Sequence, residues 1–361
     1  MGKARFHYNN LITTETMVSV SSLRAGLVTS ALKEGTGSAT LTTSGSFTGS
    51  TDLEYIVEID SIAGGAEVGQ ATFKWSDGSG AWNATGVTTS ATNIALNNGV
   101  YIKWTTGTGA DFVVGDKWYF KGINLYNAGK MIDLDRDHSY RSAALESPNT
   151  ITITLDTEAQ ADALIIFDHN LTSTATIVLW ADDAATFDTD GGAAQVIESV
   201  TWAADKILHY LTTPDRTKKY WQLRITDAAN TDGYIEIGEI YLGTYLELTK
   251  NFIEGFSSEQ VFLQDSNITP YGIEKSRFYN TQWNFEFDFD FMPPADVTSM
   301  KALITAIASR STGVSKPVWF VDDSAVPADL YLVKINSLSV THRTRTFYDM
   351  PLTFVEVLKS V

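Results

Sequence analysis

The stretch Asn124–Asp183 decides the fold, and it reads NLYNAGKMIDLDRDHSYRSAALESPNTITITLDTEAQADALIIFDHNLTSTATIVLWADD. Three strand-like runs follow one another within it, Thr150–Asp156, Ala163–Asp168 and Ala175–Ala181. In the first run, isoleucine and leucine alternate with threonine, so that one face of the strand is apolar and the other is polar. Three consecutive runs of this kind predict half of a β-sandwich.

The composition indicates a globular protein with many short strands. The chain has 361 residues, which is long enough for two or three domains, and its apolar content of 43% is ordinary. No apolar run approaches the roughly 20 residues that a membrane helix needs. The opening residues, MGKARFHYNN, lack the apolar core of a signal peptide. We therefore expect a soluble protein that is made in a cytoplasm.

The cysteine count and the net charge exclude several classes of site. The chain has no cysteine, so disulfides, thiolate nucleophiles and cysteine-based zinc sites are absent. Its formal net charge of −17 repels the phosphate backbone, which makes sequence-specific or general binding of nucleic acid an unfavourable hypothesis. The charge is typical either of a surface that keeps the protein soluble or of a surface past which DNA slides without sticking.

Residues 36–122 are predicted to form a small β domain that is inserted into the sandwich. Apolar and acidic residues alternate from Leu53 to Asp60, and Asn97-Asn98-Gly99 is typical of a hairpin turn. Surface loops tolerate insertions whose ends lie close together. We therefore expect residues 1–35 and 123–245 to form one discontinuous domain around this insertion.

The last segment, residues 246–361, contains the clearest strand of the chain. Its alternate positions are aromatic, namely Trp283, Phe285, Phe287, Phe289 and Phe291, and the positions between them are Asn284, Glu286, Asp288 and Asp290. Pro293-Pro294 ends the strand, and the apolar stripe that follows predicts an amphipathic helix at about residues 295–309, capped by Asp296. We therefore expect a mainly β, multi-domain protein: a β-sandwich or jelly roll with an inserted small β domain, and a C-terminal β domain with one amphipathic helix.

One acidic cluster has the spacing of a cation site. Asp133, Asp135 and Asp137 place oxygen ligands at alternate positions, as calcium sites often do. An EF-hand loop also needs a glycine at its sixth position and a glutamate at its twelfth, and neither is present. The alternative is a turn in which Arg136 or Arg141 pairs with a carboxylate. We expect no metal and no cofactor, and these three aspartates are the candidates if a cation binds.

The acidic side of the C-terminal strand allows two interpretations. Glu286, Asp288 and Asp290 lie on one strand face, with neighbours roughly 7 Å apart, and this separation would also suit an inverting glycosidase. The alternative is an exposed acidic face without catalysis. The chain has no GxSxG, P-loop, GxGxxG or HExxH motif, and His169 is interpreted as a loop-structuring residue rather than a base. We therefore expect no catalytic residue and no enzyme.

The tryptophans of the inserted domain also allow two interpretations. Trp75, Trp82, Trp104 and Trp118 could stack on sugar rings, as exposed aromatic side chains do. They could equally form the core of a small β-sandwich.

Several short motifs occur in a fixed order around the central stretch. They are Asn124-Leu125, Asp135-Arg136-Asp137, Tyr140-Arg141-Ser142, Ile151–Leu155, His169-Asn170-Leu171 and Tyr234–Gly243. In this order they resemble the discoidin-like, or galactose-binding-like, jelly rolls that recur in tail proteins of tailed bacteriophages. Val18–Ser22 and Gly26 would match the opening strand and loop of that family. The resemblance implies a ligand-facing position at Tyr140, where the family usually has tryptophan.

The other two segments also resemble parts of phage proteins. The inserted domain, with ATFKWSDGSGAW and FVVGDKWYF, is similar to a small β module of phage structural proteins. The pattern of the last segment resembles the tube-type β fold of phage tail proteins, in which a long alternating strand, one helix and closing strands build a ring. That resemblance implies an acidic face, formed by Glu286, Asp288 and Asp290, towards a DNA passage.

These resemblances imply a structural virion protein, a distal or minor tail protein that forms or docks on a tail ring. Its expected partners are the tail tube, baseplate or hub, further copies of itself, and a host-surface polysaccharide contacted through Trp75, Trp82 and Tyr140. Its expected location is the virion tail, after synthesis in the host cytoplasm. Two alternatives stay open: a head decoration or fibre protein, and a carbohydrate-active enzyme or its accessory sugar-binding module.

Overall fold

The computed structural model of the chain is mainly β, as the sequence predicts, with 51% of residues in strands and 7% in helices. It describes residues 2–49, 51–78, 80–185, 187, 196–252, 257–268, 274–308, 316–326, 328–344 and 346–358. No helix in these ranges is long and apolar enough to span a bilayer.

The chain divides into two compact units, each described here by itself. The first unit comprises residues 1–21, 129–139 and 145–361, and the second comprises residues 22–128 and 140–144. The predicted insertion, residues 36–122, lies within the second unit. The predicted boundary between a jelly roll and a C-terminal domain stays a prediction.

The strands and helices have the following bounds. In chain order the strands are β1 (Arg5–Asn10), β2 (Val18–Val20), β3 (Leu27–Val28), β4 (Leu32–Glu34), β5 (Thr40–Gly45), β6 (Leu53–Ser61), β7 (Thr72–Ser76), β8 (Ala84–Thr88), β9 (Ile94–Ala95), β10 (Val100–Thr105), β11 (Lys117–Ile123), β12 (Tyr140–Arg141), β13 (Asn149–Gln160), β14 (Ala163–His169), β15 (Thr176–Asp182), β16 (Val196–Val200), β17 (Lys206–Tyr210), β18 (Thr217–Thr226), β19 (Glu236–Glu247), β20 (Ser257–Ile268), β21 (Glu274–Met292), β22 (Val318–Val321), β23 (Leu330–Leu338), β24 (Thr341–His342) and β25 (Tyr348–Glu356). The α-helix is α1 (Pro294–Ile307), and short 3-10 helices span Glu15–Met17 and Ala128–Met131.

A large antiparallel sheet joins distant parts of the first unit. Its order is β17-β14-β19-β1-β22-β23-β25-β21-β20, with β24 paired to β25. The N-terminal strand β1 lies inside this sheet, between β19 and β22, and Phe6 pairs with Leu246 on one side and Phe320 on the other. The strand therefore connects the predicted jelly-roll strands to the predicted C-terminal strands.

A second sheet of the first unit contains two of the three predicted runs, β13 and β15, whereas the third, β14, lies in the large sheet. The order of this second sheet is β16-β15-β18-β13-β2. On β13, Ile151, Ile153 and Leu155 are buried, whereas Thr152 and Thr154 lie on the other face. The three predicted runs are all strands, which confirms the interpretation from alternation.

Helix α1 covers the aromatic side of the large sheet. Its buried residues Val297, Met300 and Leu303 recur at helical spacing and pack into one core with Phe287. Asp296 does not cap the helix as predicted, because it lies inside the first turn. Its carboxylate instead accepts hydrogen bonds from the backbone N–H and the hydroxyl of Thr249, and this fixes the start of the helix to the preceding chain.

The second unit consists of two antiparallel sheets around an aromatic core. One sheet has the order β5-β10-β9, and the other has the order β3-β11-β6-β7-β8 with β4 also paired to β11. The fully buried aromatic side chains of this core include Tyr55, Phe73, Trp104, Phe112 and Trp118. Ring centroids of Trp104 lie 4.8 Å from Phe73 and 6.2 Å from Trp118, distances at which aromatic pairs stabilise a core beyond area burial alone.

Candidate functional site

The acidic residues of β21 lie on the face of the strand that points away from the core. Phe285, Phe287 and Phe289 are buried, and Glu286 and Asp288 between them are exposed, because successive side chains of a strand point to opposite faces. The prediction of an exposed acidic strand face is confirmed for these two residues. We call Glu286 and Asp288 the acidic face.

The third predicted acid, Asp290, has a different environment. Its carboxylate lies 2.5 Å from the guanidinium of Arg343, which also lies 3.3 Å from Asp349. The charge of Asp290 is therefore partly compensated, whereas Glu286 stands opposite the uncharged Thr353 on β25. The structure brings two of the three predicted acids into one exposed face and places the third in an ion pair.

The aromatic alternation of β21 is broken at its end, so the prediction of an unbroken pattern is wrong there. Phe291 has a left-handed backbone conformation, with φ of 55°, in an irregularity of the pairing between Phe289 and Met292. Such a bulge adds one residue and shifts the following side chains by one face. Phe291 is consequently exposed beneath the guanidinium of Arg343, 4.3 Å from its ring centroid, and Met292 is buried instead.

A shallow groove of about 210 Å³ lies beside the acidic face. Its wall includes Glu259 of β20, Asn284 and Glu286 of β21, Asn336 of β23 and Thr353 of β25. These groups offer carboxylate, amide and hydroxyl oxygens.

The outer strand of the large sheet is an open edge. Strand β20 pairs with β21 over its whole length, and the described sheet order ends there. Two consecutive apolar side chains of this strand, Phe262 and Leu263, are exposed, Phe262 by 61%. An edge strand presents backbone groups that can pair with another chain. We call β20, with Phe262 and Leu263, the open edge.

Two of the three predicted sugar contacts are wrong, because their rings are buried. Trp75 is 8% exposed and packs in the core of the second unit against Tyr55. Tyr140 is 1% exposed, and its hydroxyl donates a hydrogen bond of 2.5 Å to the backbone carbonyl of Ser22. A ring inside a core cannot stack on a sugar that arrives from solvent. For Trp75, Trp104 and Trp118 the core interpretation is confirmed.

Trp82 is the predicted sugar contact that lies at the surface. It is 41% exposed, and the ammonium of Lys74 lies 4.4 Å from its ring centroid. Lys74 is held in place by Glu58, which also pairs with Lys117 on the next strand, at distances of 3.2 and 3.5 Å. These ion pairs therefore hold Lys74 in its position over the Trp82 ring.

The acidic turn does not assemble a cation site. The carboxylate of Asp133 accepts the N–H of Asp135, and that of Asp135 accepts the N–H of Asp137, so these oxygens serve the turn itself. In the part of the chain that the structure describes, no group of three His, Asp or Glu side chains could hold a metal. The alternative is confirmed: Arg136 donates two hydrogen bonds, of 2.9 and 3.0 Å, to Asp168.

His169 has the predicted loop-structuring role. Its Nδ1 accepts the backbone N–H of Leu171 at 3.2 Å, just after β14 ends. Burial lowers the pKa of this histidine, which favours the neutral ring that can accept such a bond.

A buried carboxyl group, Glu239 of β19, was not singled out from the sequence. It is 1% exposed, and neither carboxyl oxygen has a hydrogen-bond partner among the described residues. Burial, helped by the charges of Asp133 and Asp168, raises the pKa of Glu239 to about 9. The backbone N–H of Leu134 lowers the pKa and so offsets part of this rise, although it does not meet the geometry of a hydrogen bond to either carboxyl oxygen. Glu239 is therefore neutral at pH 7.

A buried histidine, His7 of β1, was also missed. Its ring lies among Tyr210, Tyr241 and Tyr245, with centroid distances of 5.9, 5.7 and 5.6 Å. It is fully buried, and neither ring nitrogen has a partner among the described residues. Burial, and secondarily the charge of Arg5, lowers the pKa of His7 to about 3. The sequence signal was a lone histidine within the strand-like run RFHYNN.

Comparisons with known proteins give distant structural similarities. No protein-family model matches the chain, and no curated protein matches it. The chain is similar to a GH29 fucosidase from Ruminococcus gnavus in complex with fucose, with a TM-score of 0.28, 16% identity, and coverage of 35% of this chain and 23% of that one. It therefore spans less than a quarter of the fucosidase.

Two smaller solved structures are similar to this chain at comparably low TM-scores. For chitosan-binding module 1 of a chitosanase/glucanase from Paenibacillus sp. IK-5, the TM-score is 0.25, the identity 15%, and the coverage 33% of this chain and 86% of that one. For the CBM32-1 and CBM32-2 domains of Clostridium perfringens ZmpB in complex with GalNAc, the TM-score is 0.25 and the identity is 9%. The similarity covers 66% of this chain and 92% of that one. At these TM-scores the similarities do not establish a shared fold.

Proposed function

We propose that this chain is a structural protein of a tailed-phage virion, a distal or minor tail protein that forms or docks on a tail ring, and that it is not an enzyme. The observation that carries the proposal is the open edge of the large sheet. Apolar side chains on an exposed edge strand favour association, and soluble proteins usually avoid them. Their presence at Phe262 and Leu263 supports a role in which this edge is covered by another subunit.

A second copy of the chain fits this edge. Among the described strands, the sheet ends at β20 on one side and at β17 on the other. When one edge of a subunit pairs with the opposite edge of the next, the contact is head-to-tail, and such contacts close into rings when the rotation allows. The tail tube, baseplate or hub would then contact the ring.

The acidic face supports the same proposal. In a ring, Glu286 and Asp288 would line the passage, where their carboxylates would repel the phosphate backbone. A repulsive lining lets DNA move without binding, which agrees with the net charge of −17. Charge reversal of both residues is expected to slow DNA ejection from particles, and unchanged ejection would count against this placement.

Assembly in solution tests the ring directly. The purified chain is expected to form closed rings, measured by the mass of the particles and by electron microscopy. Replacing Phe262 and Leu263 together with lysine should raise the concentration needed for half-assembly at least tenfold, because a charged side chain loses its hydration when the edge is covered. Val326→Lys is the matched control, since Val326 is equally an exposed apolar residue of the same unit.

Other assembly outcomes would favour the alternatives. A wild-type chain that stays monomeric at high concentration would contradict ring formation by this chain alone. Binding to empty capsids would favour a head decoration or fibre protein. Release of new reducing ends from a polysaccharide would contradict the proposal that the protein is not an enzyme.

Contact with a host-surface glycan is a second candidate function, and the exposed Trp82 favours it. One face of the ring is occupied by Lys74, and the remaining exposed surface can stack on the apolar face of a sugar. Trp82→Ala is expected to reduce retention on host polysaccharide about tenfold in affinity electrophoresis, without unfolding the chain. Tyr101→Ala removes another exposed aromatic ring of the same unit and should leave retention unchanged. Equal retention of all three proteins would remove Trp82 from the contact.

A further inference from the structure

A cavity of about 290 Å³ lies in the first unit beside the N-terminal strand. Strands β1 and β22 pair from Arg5 with Val321 to His7 with Trp319, and the cavity lies next to this last pair. Its wall includes His7, Asn9, Tyr241, Lys316 and Trp319. We call it the β1 cavity.

The first observation about the β1 cavity is an unsatisfied polar group in its wall. His7 is fully buried, and neither ring nitrogen has a hydrogen-bond partner among the described residues. Buried polar atoms are nearly always hydrogen-bonded, so such a residue requires an explanation. A neutral imidazole offers one donor and one acceptor. A hydroxyl group of a bound molecule would satisfy either of them.

The second observation concerns the shape of the wall. The rings of Tyr241 and Trp319 belong to one hydrophobic cluster and are almost fully buried, so they form the base of the cavity and not an open stacking face. The volume is large enough for one ring and too small for an extended polymer segment.

The third observation concerns charge. Lys316 is exposed at the cavity wall, and within the described ranges no carboxylate lies within ion-pair distance of it. An ammonium in this position attracts a negatively charged group of a ligand.

We infer that the β1 cavity binds one acidic sugar residue, a hydroxylated ring that carries a carboxylate. The sugar ring occupies the cavity beside Trp319, a hydroxyl hydrogen-bonds to His7, and the carboxylate pairs with Lys316. This site goes beyond the assembly role and is separate from Trp82. It would allow the protein to recognise an acidic polysaccharide by one of its residues.

The test uses sodium D-glucuronate as the probe and D-glucose as the neutral comparison. Ligand-observed NMR on the full chain is expected to show saturable binding of glucuronate and at least tenfold weaker binding of glucose. His7→Phe, which keeps a ring and removes both nitrogens, should weaken binding at least tenfold. Lys316→Gln should weaken it similarly, and both the glucuronate affinity and its salt dependence should fall, because the ion pair is lost.

Control variants keep the test decisive. Lys301→Gln removes an exposed lysine of α1 that does not line the β1 cavity, and should bind as the wild type does. Because Lys316 is exposed, its variant should fold even if His7→Phe does not. Absence of saturable glucuronate binding, or equal affinity in Lys316→Gln and wild type, would overturn the inference. Ring formation measured on the same samples separates its failure from failure of the assembly proposal.

Discussion

Glu239→Gln is expected to raise the free energy of unfolding by about 3 kcal/mol at pH 7 and to leave it nearly unchanged at pH 4. The pKa of Glu239 is raised from 4.5 to about 9 in the folded chain. A group with a raised folded pKa contributes its full stability below the unfolded pKa and loses it as the pH rises towards the folded pKa. At pH 7 the unfolded chain releases this proton, which lowers its free energy, whereas the carboxyl group of the folded chain stays protonated. The free energy of unfolding is therefore smaller.

Glutamine removes this penalty because it has nearly the same shape and cannot ionise. It fills the same space beside Leu134 and leaves a neutral side chain, as the protonated acid does. Urea unfolding at pH 4, 7 and 8.5 measures the difference, which should grow with pH. Glu286→Gln is the matched control, since Glu286 is an exposed glutamate on a strand of the same unit. A variant that is equally stable at all three pH values would contradict the neutral, buried state of Glu239.

The buried histidine is expected to have the opposite pH dependence. The pKa of His7 is lowered from 6.5 to about 3, so the unfolded chain binds a proton at pH 5 that the folded chain does not. Stability is therefore lost as the pH falls below 6.5, by about 3 kcal/mol between pH 6.5 and 4.5. His7→Phe should remove this loss, because phenylalanine takes no proton.

Unfolding curves at pH 6.5, 5.5 and 4.5 test this expectation. Burial also lowers the pKa of His169, so the slope of the variant should be the sum of the opposing contributions of His169 and Glu239. His342→Phe is the control, because His342 is exposed. An unchanged slope in His7→Phe would show that His7 takes up its proton in the folded chain at an ordinary pH.

The two groups oppose each other between pH 4.5 and 6.5. As the pH rises through this range, the His7 contribution increases stability and the Glu239 contribution decreases it, each by about 1.4 kcal/mol per pH unit. In the wild-type chain these two contributions therefore cancel, and the remaining slope comes from other groups such as His169. Each single variant should reveal the slope of the other group, which a study of the wild type alone would not detect.

The strands were predictable where alternation is regular. On β13 and on most of β21, apolar side chains recur at every second position, and burial follows that pattern because a strand has two faces. Helix α1 was predictable from the apolar spacing of Val297, Met300 and Leu303 after two prolines. These features are local, so the sequence contains them in full.

Features that depend on distant contacts were not predictable. The bulge at Phe291 arises from the pairing of β21 with β25, and no residue type beside it signals an extra position. Tyr140 is buried by its bond to the carbonyl of Ser22, far along the chain. The pairing of Arg136 with Asp168 was open to two interpretations because only the fold selects the partner.

Glu239 and His7, the two buried groups without a hydrogen-bond partner, stand at positions that the alternation of apolar and polar residues does not explain. Glu239 stands within the apolar run YIEIGEIYLG, where an acid is expensive to bury. His7 lies between Phe6 and Tyr8, which pack on the other side of the strand. Apolar neighbours on both sides do not by themselves indicate burial, because Glu286 has such neighbours and is exposed. Only the three-dimensional structure shows that His7 and Glu239 are buried and have no partner among the described residues.

The position of β1 within the large sheet also has a consequence for biosynthesis. Its residues leave the ribosome before both partner strands, so Phe6 must wait for Leu246 and then for Phe320 before it is paired on both sides. At about 5–20 residues per second, the second partner follows after roughly 15–60 s. Throughout this interval, an apolar strand without partners is open to chaperones and to neighbouring nascent chains. Correct synthesis of this protein should therefore depend, more strongly than its final stability suggests, on a chaperone that holds the nascent chain.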